Sequence, residues 1–268
     1  MGLILCCWLS DRHVKKKTSP SPSSFFSQFS VAPPIRLAVL LGTPPVAHGN
    51  PRSQWSQTHI SSNLKMCPSG VCVTRDRVEQ SSDAVRAAAG VATGLHMWEV
   101  LWEARHRGSH ALLGVATREC PLHASGYTPL IGINSCSWGW ELTTGQLWHD
   151  GKEVGRYPEG GASERLSAPD RILLVVDADA GMLGYVVDNC YLGIAFAGLP
   201  SGAEVFPAAS CVWGGAKIRL RYLCGMTRDP PPLQTLSALC VCQRLRSHLD
   251  SIPPAARRLL FITITSNT

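Results

Sequence analysis

The chain has 268 residues, of which 45% are hydrophobic and 16% charged. This composition is typical of a globular protein, and the length admits one large domain with small appendages. The formal net charge of +6 comes mainly from basic residues in the first 34 positions and after residue 223, so the middle is close to neutral. A nucleic-acid-binding domain needs a basic stripe on its folded surface, so we expect no nucleic-acid partner.

The 11 cysteines are scattered, with no CxxC pair and no histidines at the spacing of a zinc site. We therefore expect reduced, buried thiols in a cytoplasmic protein. The sequence predicts neither a metal site nor a cofactor.

Residues 1–33 do not have the pattern of a folded domain. The apolar run MGLILCCWL is too short to cross a bilayer, and the basic residues Lys15–Lys17 follow it. The stretch from Thr18 to Pro34 is rich in serine and proline. We expect a disordered tail over 1–33 and no transmembrane segment.

The next segments lead into a β domain. We expect the apolar run Leu37–Leu41 to pack on this domain without forming an independent helix, because Pro44-Pro45 ends it at once. The short run from Leu64 to Val73 contains Pro68 and Gly70, which is consistent with a poorly formed hairpin.

The stretch from Gly94 to Glu141 predicts the centre of an antiparallel β-sandwich. Trp98, Val100 and Trp102 alternate with their neighbours at the period of two expected of a strand. The run from Leu112 to Ala116 is almost continuously apolar, which is typical of a strand covered on both faces.

Further strands follow at regular spacing. Between Ile172 and Phe196, three apolar runs are separated by turns rich in Asp, Asn and Gly, which indicates a meander. From Lys217 to Tyr222 the residues alternate strictly, and we expect Ile218, Leu220 and Tyr222 to face inward. The strand pattern stops at Arg228-Asp229-Pro230-Pro231-Pro232, and Leu233–Leu249 then has the apolar spacing of an amphipathic helix.

The sequence contains no recognisable catalytic set. It lacks a Gly-x-Ser-x-Gly elbow, a glycine-rich phosphate loop and a His-Glu-x-x-His motif. His149-Asp150-Gly151 lies between two predicted strands, where Asp-Gly is an ordinary hairpin turn, and Asp177, Asp179 and Asp188 are also interpreted as turn residues. We therefore expect a binding protein without catalytic residues of its own.

Loops at one end of a sandwich are the usual place for a binding site. Candidate loop residues are Arg75, the Arg107-Gly108-Ser109 turn, Tyr127 to Leu130, and Val212-Trp213-Gly214. Exposed aromatic side chains beside glycines are good anchors for a peptide. The sequence leaves open whether Trp213 is such an anchor or belongs to the core.

Several separated motifs occur in one order: GLHMWEV, RGSHALLGVAT, GYTPLIG, SWGWE, LWHDGK and FPAASCVWG. Together they closely resemble the SPRY domain of the SPRY-and-SOCS-box proteins, from about Pro34 to Leu223. The resemblance implies a mainly β fold, a SPRY-type antiparallel β-sandwich over 34–223 with a short C-terminal α-helical SOCS box over 230–264.

The resemblance also implies a preformed pocket for short peptides of the type Asp/Glu-Ile/Leu-Asn-Asn-Asn. The matching positions are Arg75, Gly108, Ser109, Tyr127, Leu130, Val212, Trp213 and Gly214. The family segment Arg-x-Pro-Val-Ala-Gln-Ser-Thr-Asp reads here as Arg75 to Asp83, with Arg77 in place of proline and Glu79 in place of alanine on the expected pocket rim.

The C-terminal helix resembles the elongin-binding part of a SOCS box, which assigns elongin B/C contacts to Leu236, Leu239 and Cys240. The cullin-contacting element, Leu-Pro-x-Pro in the family, is reduced here to Asp250-Ser251 followed by Ile252 and Pro253. The resemblance therefore implies a substrate-recognition subunit of an elongin B/C cullin–RING ubiquitin ligase. The alternative is a peptide-binding adaptor whose degenerate SOCS box recruits no cullin.

Overall fold

The computed structural model describes residues 25–160 and 167–227. These residues form one α-helix, α1 (Ile35–Gly42), three short 3-10 helices (Phe25–Phe29, Pro51–Ser53 and Ala104–His106) and fifteen strands. In chain order the strands are β1 (Trp55–Ile60), β2 (Leu64–Met66), β3 (Cys72–Arg75), β4 (Ser81–Ala87), β5 (Leu95–Trp102), β6 (Leu112–Ala116), β7 (His123–Ser125), β8 (Ser137–Glu141), β9 (Gln146–His149), β10 (Lys152–Arg156), β11 (Arg171–Asp177), β12 (Met182–Val187), β13 (Cys190–Ala197), β14 (Phe206–Cys211) and β15 (Lys217–Met226).

The strands form two antiparallel sheets. The first sheet has the order β1-β4-β14-β6-β8-β9-β10, and β7 also pairs with β4. The second sheet has the order β13-β12-β11-β5-β15-β3-β2. The meander and the β2–β3 hairpin predicted from the sequence are both confirmed, the hairpin with Met66 opposite Val73.

The central strands β5 and β6 are largely buried on both faces, which the sequence predicts for β6. On β5, Trp98, Val100 and Trp102 lie in the core between the sheets, whereas Leu95 and Met97 belong to a second apolar cluster on the opposite face. On β6, Leu113 and Val115 lie in the central core and Leu112 and Ala116 in a third cluster. Three apolar layers therefore stabilise the sandwich.

One expectation about the N-terminal region is confirmed in part, and another is wrong. The run 37–41 packs on the β domain as expected, but it does so as a helix, because Leu37 and Leu40 share one helical face and cover the apolar outer face of the second sheet. The disordered tail cannot extend to residue 33, because Phe25–Phe29 is a 3-10 helix whose Phe26 is buried in the central core. Residues 1–24 lie outside the described residues.

At the other end of the domain, β15 continues to Met226, three residues beyond the predicted limit. Within the described ranges, none of the helices is long and apolar enough for a membrane span. The SOCS box predicted over 230–264 lies outside the described residues.

Candidate functional site

A cavity of about 520 Å³ opens among four loops of the sandwich. The loop between β3 and β4, the turn after β5, the loop after β7 and the loop between β14 and β15 contribute its walls. The lining residues are Arg77, Val78, Glu79, His106, Tyr127, Val212, Trp213, Gly214 and Gly215. The structure thus brings together Tyr127, Val212, Trp213 and Gly214 of the eight predicted positions.

Two large aromatic side chains are presented to solvent at this cavity. Tyr127 is 44% exposed and Trp213 is 48% exposed. Trp213 is therefore a surface residue and does not belong to the core. Half-exposed aromatic side chains beside a cavity are typical anchors for a protein or peptide partner.

Two glycines near Trp213 allow neighbouring loops of the cavity to pack closely against each other. Gly108 has a φ of +68°, and a Cβ atom there would lie 3.2 Å from Trp213 Cβ and 3.4 Å from Val212 Cγ2. A Cβ on Gly214 would lie 2.7 Å from Arg77 Cγ. Gly108 therefore supports the Trp213 loop from behind, and Gly214 packs on the stem of Arg77.

Arg75 is not available to a ligand, which corrects the prediction that it contacts the peptide. Its side chain is fully buried, and Nε donates to Asp83 Oδ2 over 2.8 Å. The guanidinium also donates to the carbonyls of Asp76, Val78 and Ser81 over 3.2, 2.9 and 2.8 Å. Arg75 thus holds the backbone of the loop that carries the cavity residues 77–79.

Asp83 completes this buried cluster. Besides Arg75, its carboxylate accepts hydrogen bonds from Ser61 (2.6 Å), Ser81 (2.9 Å) and Asn63 (2.9 Å). Burial opposes ionisation, but the hydrogen bonds from Ser61, Ser81, His123 and Asn63 outweigh it and lower the pKa of Asp83 below its ordinary value. Asp83 is consequently charged near neutral pH and holds the Arg75 guanidinium in place.

Leu130 is also a supporting residue, contrary to the prediction that it contacts the peptide. It is completely buried in the apolar cluster on the outer face of the first sheet, together with Ala84 and Leu112. The loop between β7 and Leu130 is further held by Ser82, whose Oγ donates to the Gly126 carbonyl over 2.9 Å and accepts from Thr128 N over 2.8 Å. These contacts fix the Tyr127 backbone, so that only its side chain projects.

The turn after β5 contains a second buried arginine, Arg107. Its guanidinium donates to the carbonyls of Trp102, Ala168 and Pro169. Burial lowers the pKa of Arg107 to about 10, and attraction to Asp170 partly offsets this. Arg107 therefore joins the end of β5 to the segment before β11 and fixes the adjoining Gly108.

Ser109, also a predicted contact, is exposed but does not line the cavity, and its Oγ lies 2.9 Å from His110 Nδ1. Sequence reasoning placed Arg77 and Glu79 on the rim and missed Val78, His106 and Gly215. His106 belongs to the basic turn after β5, where the apolar pattern of the sequence is interrupted. That interruption is the sequence signal that could have placed His106 at the surface.

Comparison with known proteins identifies a domain family and several proteins that are similar to this chain. Residues 95–222 match the SPRY domain model. The chain is 41% identical over 254 residues to SPRY domain-containing SOCS box protein 2 of Rattus norvegicus, covering 91% of this chain and 96% of that protein. It is 40% identical over 226 residues to SPRY domain-containing SOCS box protein 1 of Mus musculus, covering 82% of each chain.

The chain belongs to the SPRY domain-containing SOCS box family. Among solved structures, the PSpry domain of TRIM65 is similar in fold, with a TM-score of 0.51, 18% identity and coverage of 73% of this chain and 97% of that one. The predicted SPRY-type β-sandwich is thereby confirmed. The SOCS-box residues assigned from the sequence, Leu236, Leu239, Cys240, Ile252 and Pro253, lie outside the described residues.

The described part of this SOCS box family member contains no group of three or more His, Cys, Asp or Glu side chains placed to hold a metal ion. Deeply buried cysteines are present instead, and burial raises the pKa of both Cys211 and Cys224 to about 12. These two thiols therefore stay protonated at neutral pH and act as small apolar core residues.

Proposed function

We propose that this chain is a substrate-recognition subunit of an elongin B/C cullin–RING E3 ubiquitin ligase. The observation that carries the proposal is the cavity of about 520 Å³ with Tyr127 and Trp213 half-exposed at its wall. Membership in the SPRY domain-containing SOCS box family supports pairing this cavity with a C-terminal elongin-binding segment.

The ligand proposed for the cavity is a short peptide of the type Asp/Glu-Ile/Leu-Asn-Asn-Asn in a substrate protein. Asparagine side chains need both donors and acceptors, which the backbone of rigid loops supplies without reorganisation. The buried hydrogen bonds of Arg75 and Arg107 provide such rigidity beneath the loops. Tyr127 and Trp213 contribute the apolar area that anchors the peptide.

The chain itself performs no chemistry in this proposal. Leu236, Leu239 and Cys240 dock on the elongin B/C heterodimer, and a cullin–RING scaffold brings a ubiquitin-carrying enzyme close to the bound substrate in the cytoplasm. Proximity then promotes ubiquitination of the substrate and its degradation by the proteasome.

The second candidate function is a peptide-binding SPRY adaptor that recruits no cullin. Asp250-Ser251 stands where the family resemblance leads us to expect Leu-Pro, and this difference favours the adaptor. The two candidates share the pocket and differ only in the partners of the C-terminal segment.

A capture experiment with the purified full chain separates the two functions. The chain is immobilised and incubated with elongin B/C, with and without a cullin–RING scaffold, and the bound proteins are quantified. Capture of both partners, lost in Leu236→Asp and retained in the matched variant Ser237→Asp, is the result expected of the ligase subunit. Capture of elongin alone, with cullin capture restored by Asp250→Leu/Ser251→Pro, would support the adaptor. Capture of neither would contradict the ligase proposal.

A further inference from the structure

The cavity contains two opposite charges that have no partner within the described residues. Its acidic and basic lining side chains are Arg77, Glu79 and His106. His106 Nδ1 lies 3.4 Å from the Glu103 carboxylate. The side chains of Arg77 and Glu79 are exposed, and across 25–160 and 167–227 neither makes a hydrogen bond or an ion pair. Both charges are therefore available to a ligand.

Arg77 is located at the Trp213 end of the cavity. Its stem packs directly on the backbone of Gly214, where an added Cβ would lie 2.9 Å from Arg77 Cα and 2.7 Å from Cγ. The neighbouring carbonyl of Val78 is held by Arg75 Nη2 over 2.9 Å. These contacts hold the positive charge beside one of the two aromatic anchors.

Glu79 is located toward the other anchor. The next residue, Gln80, accepts a hydrogen bond at its carbonyl from Gly126 N over 2.8 Å, and Gly126 directly precedes Tyr127. The loop therefore runs from the Trp213 end, where it carries a positive charge, to the Tyr127 end, where it carries a negative one. The two ends of the cavity rim therefore carry opposite charges.

We infer that this pocket selects peptides that carry an acidic side chain at the Arg77 end and a basic side chain at the Glu79 end. The inference rests on the proposed peptide-binding function and adds to it which end of the cavity takes the acidic side chain and which takes the basic one. A peptide with the two charges exchanged would bring like charges together at both ends, and such repulsion is an effective way to reject a wrong partner.

The test compares two peptides of identical composition, acetylated and amidated so that their ends are neutral. One is Glu-Ile-Asn-Asn-Asn-Lys and the other is Lys-Ile-Asn-Asn-Asn-Glu, with Gln-Ile-Asn-Asn-Asn-Gln as the uncharged reference. Dissociation constants are measured by titration calorimetry with the full chain. We expect the dissociation constants of the two charged isomers to differ by about tenfold. The weak charge contacts at both ends are attractive for one isomer and repulsive for the other.

A double charge exchange, Arg77→Glu/Glu79→Arg, keeps the net charge and should reverse which isomer binds more tightly. The matched control, Glu153→Arg/Arg156→Glu, exchanges two exposed charges on β10 that do not line the cavity, and should leave the preference of the parent chain unchanged. The single variants Arg77→Gln and Glu79→Gln should each reduce the difference between the isomers.

Equal binding of the two isomers by the parent chain, or a preference that survives the exchange at 77 and 79, would overturn the inference. If the uncharged reference peptide binds under those conditions, the proposed pocket function stands and only the charge selection is wrong. If none of the three peptides binds, the pocket function itself is wrong and the inference fails with it.

Discussion

Arg75 and Arg77 are two residues apart in one loop, yet their surroundings are opposite. Arg75 is fully buried, and its guanidinium makes four hydrogen bonds to Asp83 and to three backbone carbonyls. Arg77 is exposed at the cavity, and its guanidinium has no partner in the described part of the chain. The first arginine shapes the loop, whereas the second is available to whatever the loop binds.

The same division into support and contact occurs in the other walls of the cavity. Leu130 is buried below the loop that presents Tyr127, and Gly108 lies directly behind Trp213. Buried residues thus determine where the exposed side chains stand. Changes in the supporting layer should affect folding, and changes in the contacting layer should affect binding alone.

The largest effect is expected for Arg75→Met. This change leaves Asp83 buried without its countercharge and releases three carbonyls, so the free energy of unfolding should fall by about 3–5 kcal/mol. Urea unfolding followed by tryptophan fluorescence measures the loss. The matched control is Arg77→Met, for which we expect a change within about 0.5 kcal/mol. Equal losses in the two variants would refute the division between support and contact.

A smaller effect, confined to binding, is expected for Trp213→Ala and Tyr127→Ala. Each should weaken the binding of the Asn-rich peptide by about 2 kcal/mol or more, because a central aromatic anchor is removed. Their free energies of unfolding should stay close to that of the parent chain, since both side chains are half-exposed. Val154→Ala, which removes an exposed apolar side chain on β10, is the control for binding. Unchanged affinity in both aromatic variants would place the peptide site elsewhere.

The smallest effect is expected for Gly108→Ala. The positive φ of +68° should cost about 1–2 kcal/mol of stability in a residue with a Cβ. The new methyl group would also press on Trp213 and weaken peptide binding. Gly202→Ala provides the comparison, because Gly202 has a similar φ of +73° with nothing near its Cβ position. If both variants bind the peptide like the parent chain, the support of Trp213 by Gly108 is unimportant.

The strands of this fold could be predicted from the sequence because their periodicity is local. Trp98, Val100 and Trp102 alternate in the sequence and occupy one face of β5 in the structure. The part played by Arg75 could not be predicted in this way. Its burial depends on two carbonyls of a loop that has no repeating pattern, and on Ser81 and Asp83 from the following strand. Leu130 was misassigned for a related reason, since the apolar cluster that covers it is assembled from distant strands.

The N-terminal segment has a consequence for the second sheet. Val31 N donates to the Tyr191 carbonyl over 2.9 Å, on β13, which is the outermost strand of that sheet. Phe26 anchors the same segment in the core. An uncovered outer strand offers unpaired backbone groups to any neighbouring molecule and invites edge-to-edge aggregation. The segment around Val31 therefore covers part of this edge and removes the Tyr191 carbonyl from such contacts.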